Sequence, residues 1–183
     1  MYILIILGIV VALGILSYNS FVSLNNRTVE AWADIEVQLK RRYDLISNLV
    51  STVKGYATHE MTAFENVTKA RAMALDASGD SMVKKGQAEN MLTGALKSVF
   101  ALAEAYPDLK ANQNFLALQG EISDTENKIQ SARRFYNANV RDLNIKIQSF
   151  PANIIAALFH FSQKDFFDLA DNDAAQNPIN VKF

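Results

Sequence analysis

The sequence predicts an all-α protein: an N-terminal transmembrane helix, then an antiparallel up-down four-helix bundle with long helices, then a C-terminal aromatic tail. Three observations predict it. Residues 1–26 carry no charged side chain, and Met1 to Leu16 are all apolar or glycine. Four later segments repeat their apolar residues every three or four positions, as a helix does when it buries one face. No segment alternates apolar and polar residues between turn dipeptides, so no sheet is expected. The expected limits are an anchor over 1–24, a bundle over 25–150 and a tail over 151–183.

The anchor is long enough to span. At ~1.5 Å per residue, ~20 helical residues cross a bilayer core. Ser17, Tyr18, Asn19, Ser20, Phe21, Val22 and Leu24 extend the apolar run without an ion before Arg27. A cleaved signal peptide would carry a basic start and a small-x-small cleavage site. No Lys or Arg precedes Arg27 and no such site follows Leu16, so the anchor is expected to be retained. No Pro or Gly lies between Leu16 and Trp32, so the span is expected to run on into the first bundle helix.

That first helix, Tyr18 to Lys54, stops near Gly55 and carries Trp32, Ile35, Leu39, Ile46, Leu49 and Val53 at spacings of 3, 4, 7, 3 and 4. A second, Thr58 to Leu75, carries Met61, Phe64, Val67, Ala70 and Ala74, and the cluster Asp76-Ala77-Ser78-Gly79-Asp80 then reads as a turn. A third, Ser81 to Tyr106, presents Met82, Met91, Leu92, Leu96, Val99 and Leu102 before Pro107. The fourth has the cleanest period, with Phe115, Leu118, Ile122, Thr125, Ile129, Ala132, Tyr136, Val140, Leu143 and Ile147, until Pro151 closes it. Asn112 is its expected N-cap.

Composition narrows the function. About 160 residues beyond the anchor make one domain with a real core. A net charge of -1 and a pI of about 6.1 give no basic footprint for nucleic acid. Zero cysteines exclude disulfides, zinc ribbons, thiol catalysis and cysteine-linked lipid. His59-Glu60 begins like a zinc-binding HExxH motif, but position 63 is Ala63, and no Glu has a His three residues on. His160 stands alone in the tail. There is no G-x-S-x-G elbow and no glycine-rich phosphate loop. No catalytic residue, metal or cofactor is expected.

Polar residues beside the apolar seams are the remaining candidates. Asp34, Gln38, Arg41 and Asn48 share a strip on the first helix, and Glu126, Gln130, Arg133 and Asn137 share one on the fourth. Facing each other, they would fix helix register, the best-attested use of buried polar groups; the rival reading is a ligand or proton-handling site. Lys40-Arg41-Arg42 reads as a solvated face with one inward Arg.

The tail holds six of the eleven Phe, counted from Phe150 onward. If the first helix rises from the membrane, the fourth descends to it, so the tail starts near the bilayer. Phe150, Ile154, Ile155, Leu158, Phe159, Phe161, Phe166 and Phe167 then need cover, at ~1.5–3 kcal/mol for each large ring buried. The stalk of the first helix is the first choice, since Phe21, Val22 and Leu24 need cover too. The lipid headgroup layer and a second subunit are the others.

The stretch from Ala31-Trp32-Ala33-Asp34-Ile35-Glu36 to Asp44-Leu45-Ile46, with Asn48-Leu49-Val50 and Thr52-Val53-Lys54-Gly55-Tyr56-Ala57, closely resembles the LemA family. So do Val67-Thr68-Lys69-Ala70-Arg71-Ala72, Pro107-Asp108-Leu109-Lys110-Ala111-Asn112, Thr125-Glu126-Asn127, Ala132-Arg133, Phe150-Pro151 and Leu158-Phe159. The likeness runs in family order from about Tyr18 to Phe167. It implies a bacterial membrane-anchored four-helix bundle with no catalytic residues to carry over. It also implies TPM-domain membrane proteins or membrane metalloproteases of the HtpX type as partners; one branch of the family works in magnetosome membranes. Some relatives look like lipoproteins, with a lipid-bearing cysteine just before the Tyr-Asn pair. Here Ser17 holds that place, and the chain keeps a peptide anchor.

The expected protein is a single-pass protein of the bacterial cytoplasmic (inner) membrane whose bundle is a non-enzymatic docking scaffold. Lipoprotein relatives place this domain outside the cytoplasm; here Arg27 and the later basic residues favour the cytoplasmic side by the positive-inside rule. One rival is an oligomeric membrane-associated assembly or remodelling protein, a homo-oligomer through its apolar tail. The other is a ligand-binding or enzymatic bundle using the Glu126/Arg133 strip.

Overall fold

The computed structural model describes residues 1–54, 61–79 and 81–167, and it is all-α, with no strand among the described residues. Helix α1 runs unbroken over Tyr2–Lys54, so the expected span and first bundle helix belong to one helix of 53 residues. Helix α2 covers Met61–Asp76; its expected start at Thr58 lies outside the described residues. The expected turn after it is a 3-10 turn, Ala77–Gly79.

Helix α3 is Met82–Ala103, with Ser81 as N-cap accepting from the Lys84 amide. It ends short of the expected Tyr106. The residue before a proline is pushed out of the helical region, and Tyr106 is extended at φ -116, ψ 92 while Pro107 opens the short α4, Pro107–Lys110. Helix α5, Gln113–Gln148, has the expected cap: Asn112 Oδ1 accepts from the Phe115 amide at 3.0 Å. Pro151 precedes α6, Ala152–Leu158.

The chain forms two compact units, one of residues 1–41 and 125–166, the other of residues 42–124 with Phe167 at the described end. In the first unit α1 and α5 run antiparallel: Phe21 lies with Leu143 and under Lys146, and Trp32 meets Tyr136 edge-on. As the number rises on α1 it falls on α5. The apolar stripe of α5 is inside as its period required, with Ile129, Val140 and Leu143 essentially without exposure.

In the first unit the chain after α5 folds back. Phe21, Leu143 and Ala156 form a buried cluster, covered by Leu24, Ile147, Ala152, Ile155 and Phe161. Phe161 stacks on Phe21 with centroids 4.9 Å apart, and Tyr18 meets Phe159 at 4.7 Å. The Asn144 side chain both donates to the Lys164 carbonyl and accepts from the Lys164 amide, each at 2.9 Å, and Tyr136 donates to the Asp165 carbonyl.

The reversal is set by the end of α6. The Phe161 amide donates to the Ala156 carbonyl and the His160 amide to that of Ala157, the paired bonds of a Schellman motif. Such a motif needs a left-handed residue, and His160 supplies it at φ 58. A side chain in that conformation costs ~1–2 kcal/mol, partly offset because glycine is freer when unfolded. His160→Gly is therefore expected to raise stability by about 0.5–1 kcal/mol, read as a higher urea midpoint.

In the second unit, Tyr43 of α1 lies against Ala74 and Arg71 of α2, either side of the 55–60 connection at similar distance, so these helices form an antiparallel hairpin. Phe100 of α3 meets Phe115 of α5 edge-on. The core holds Ile46, Leu49, Phe64, Val67, Leu92, Val99 and Leu109. Met91 is a correction. The period of the third segment predicts it on the apolar stripe, but it is 54% exposed; the buried face is Lys85, Gly86, Ala88, Glu89, Leu92, Leu96, Val99 and Ala103, and Met91 falls one residue off it.

Candidate functional site

The second unit contains a buried polar cluster. Leu39 and Ile46 leave a gap of seven on α1, and an inward face cannot skip two turns. Arg42 and Tyr43 fill the gap, and both are buried. Arg42 pairs with Glu89 of α3, neither side chain having any exposure, and its other terminal nitrogen donates to Thr93 Oγ1 at 3.3 Å. Tyr43 donates its hydroxyl to the other carboxylate oxygen of Glu89. Arg71 Nε donates to the Tyr43 carbonyl at 2.8 Å, and Lys85 is buried one turn before Glu89. The carboxylate is thus held from two sides by charge-assisted bonds, the strong kind.

Burial, followed by the negative Glu89 beside it, raises the Tyr43 hydroxyl well above its ordinary value near 10. Burial and then Asp165 raise Tyr136 in the same direction. An unfolded tyrosine gives up its proton near pH 10 while the folded one keeps it, so above about pH 10 the native state binds more protons and stability falls as pH rises. Below that the contribution is complete. Tyr43→Phe is expected to make the alkaline fall shallower, measured as urea midpoints from about pH 8 to 11.

The residues marked in the sequence differ in exposure. Asp34, Arg41, Asn48 and Gln130 are exposed, Gln38, Glu126 and Asn137 are half-buried, and Arg133 is buried. The inward arginine of the basic triplet is Arg42, because Arg41 is turned to the outside. Of the tail residues, Phe150, Ile154, Leu158, Phe159 and Phe166 are exposed and Phe167 is fully buried. His59 and Glu60 lie outside the described residues. Among the described residues no three of His, Asp or Glu converge as metal ligands.

A surface depression of about 450 Å³ between the end of α1 and α2 is lined by Lys54, Phe64, Glu65, Thr68, Lys69 and Ala72. Its charged side chains are those of an ordinary solvated face. The other large surface feature is the start of α1. Nearly every apolar side chain from Met1 to Leu16 is more than half exposed, and this helix is long and apolar enough to cross a membrane.

Three relatives are similar along most of the chain. Magnetosome protein MamQ 2 of Paramagnetospirillum magneticum is 23% identical over 90% of this chain and 69% of its own length. Magnetosome protein MamQ of Magnetospirillum gryphiswaldense is 22% identical with the same coverage. Protein LemA of Metamycoplasma hominis is 29% identical over 75% of this chain and 63% of its own. The model of the LemA family matches residues 31–183, which takes in the first of the four later helical segments from Ala31 onward, the other three and the tail. The resemblance read from the motifs is thereby established, and the chain belongs to the LemA family.

Proposed function

We propose that this protein is a membrane-anchored helical scaffold, its bundle serving as a docking surface and not as a catalyst. One observation carries the reading: α1 is a single helix whose first part presents apolar side chains outward while its continuation from Phe21 is packed inside a folded unit. Lipid is the solvent that accepts the first part. A continuous helix shared by span and first unit ties that unit to the membrane. Exposed Val37, Val83, Met91, Leu116 and Phe135 give the helical surface apolar contact points for a protein partner. TPM-domain proteins and HtpX-type proteases are the partners to test first, with the domain on the cytoplasmic side following from Arg27.

The full chain is expected to stay with membranes in alkaline carbonate and to leave them in detergent. Deleting residues 2–16 should move it to the soluble fraction with its helical circular dichroism kept. Retention of the shortened chain through the alkaline-carbonate wash would overturn the anchor, as would a mature start near Tyr18 in intact-mass measurement; loose association that carbonate strips would not. Crosslinking in membranes followed by mass spectrometry reads the partner. A second reading, a membrane-associated assembly, is favoured by the relatives named as magnetosome proteins and by the exposed apolar side chains near α6. Light scattering in mild detergent separates it: a defined oligomer supports assembly, a monomer the single scaffold.

A further inference from the structure

We infer that α6 is a second membrane-contacting element, a short re-entrant helix seated in the bilayer leaflet where α1 emerges. This rests on the anchor reading above.

The position of α6 along α1 is fixed by contacts within the first unit. Phe161 stacks on Phe21, Phe159 meets Tyr18, and the Ile155 side chain lies beside Gly14, where a Cβ would be 3.9 Å from it. Gly14 precedes Phe21 by seven residues, ~10 Å along a helix axis. It also belongs to the uninterrupted apolar run that must be in lipid if α1 spans. Whatever packs at Gly14 is therefore inside the hydrocarbon too. Interfacial helices reach ~5–10 Å into the boundary, in keeping with this offset.

The chemistry of the segment agrees. No Asp, Glu, Lys or Arg stands between Lys146 and Lys164. Ile154 and Leu158 lie one turn apart on one side of α6, at 57% and 66% exposure, and Phe150 just before the helix is 82% exposed, while Ala156 is buried against Phe21 and Leu143. The span, which Ile155 meets at Gly14, exposes its own apolar side chains from Met1 to Leu16. Lys146 reaches back over the Phe21 ring, as a lysine does when it snorkels toward headgroups.

Backbone is the harder requirement, because lipid satisfies no amide or carbonyl. Around this turn the amides of Ser149, Asn153, Ile154, Phe159, His160 and Phe161 all donate to nearby carbonyls, and Pro151 has none to satisfy. Most of the turn's donors are thus satisfied within it, which lowers the cost of seating it against lipid.

Tryptophan depth measurement in lipid tests it. The full chain, with Trp32→Phe to remove the native fluorophore, is reconstituted in nanodiscs of phosphatidylcholine brominated on the acyl chain. Leu158→Trp is compared with Ile9→Trp in the span and Val83→Trp on α3, with circular dichroism confirming each fold; Ile154→Trp replaces the first if it does not fold. Position 158 is expected to show blue-shifted emission and loss of intensity comparable to position 9, with position 83 unaffected. Quenching at 9 but not at 158 would overturn the inference and leave the anchor standing. Absence of quenching at 9 would remove the anchor and this inference together. A dimeric nanodisc species with 158 blue-shifted but unquenched would assign the stripe to a second copy and overturn it.

Discussion

Arg42→Met is expected to destabilise the protein by about 3–5 kcal/mol, because it leaves the Glu89 carboxylate buried without its cation. The Tyr43 hydroxyl and its neighbours remain, but a neutral donor does not replace a guanidinium around a fully buried charge. Glu89→Leu strands Arg42 instead, with a loss in the same range. The double variant Arg42→Met/Glu89→Leu is expected to recover most of the loss, since a buried pair roughly breaks even against well-packed apolar residues of similar volume. The measurement is urea unfolding of the full chain in mild detergent, followed by circular dichroism at a helical wavelength. Single variants that unfold at the wild-type midpoint would show that the pair is solvated and that the cluster fixes nothing. A double variant as stable as wild type but unable to bind its partner would move the cluster from structure to function.

The helices were legible because their period was long and repeated. On α5 the stripe of residues at three- and four-residue spacing from Phe115 to Leu143 lies inside or half inside, and even the cap at Asn112 is where a side-chain oxygen before the first turn should be. The cluster was not legible for a physical reason. Arg42 sits in a basic triplet, which in most helices is a solvated face, and Glu89 sits in a polar stretch between Gln87 and Asn90. Their burial is set by pairing between α1 and α3, two elements far apart in sequence. The signal was the gap between Leu39 and Ile46: a face that is apolar on both sides of a two-turn interruption continues through it, and Arg42 or Tyr43 had to be inward. On α3 the spacing of Leu92, Leu96 and Val99, carried back toward the N-terminus, falls on Lys85, Ala88 and Glu89 and not on Met91. The left-handed turn at His160 carried no glycine to announce it.

Phe21→Ala is expected to cost about 3–5 kcal/mol, the range for removing a fully buried phenyl ring and leaving a cavity. What the ring holds predicts where the damage appears. It is stacked on Phe161, covered by the Lys146 side chain, and shares its cluster with Leu143 and Ala156. Without it, α6 and the return through Lys164 lose a buried contact on α1, while the hydrogen bonds of Asn144 and Tyr136 to that return remain as its restraint. Hydrogen exchange in detergent should therefore quicken first over residues 152–165, ahead of any change in α2 and α3. Phe21→Leu keeps most of the apolar volume and is expected to lose less, about 1.5 kcal/mol or under, with the tail still protected. Uniform quickening across all helices in Phe21→Ala would mean that the ring supports the whole fold and not the docking of the tail on α1. Unchanged protection over 152–165 would mean that the tail is held by its hydrogen bonds alone.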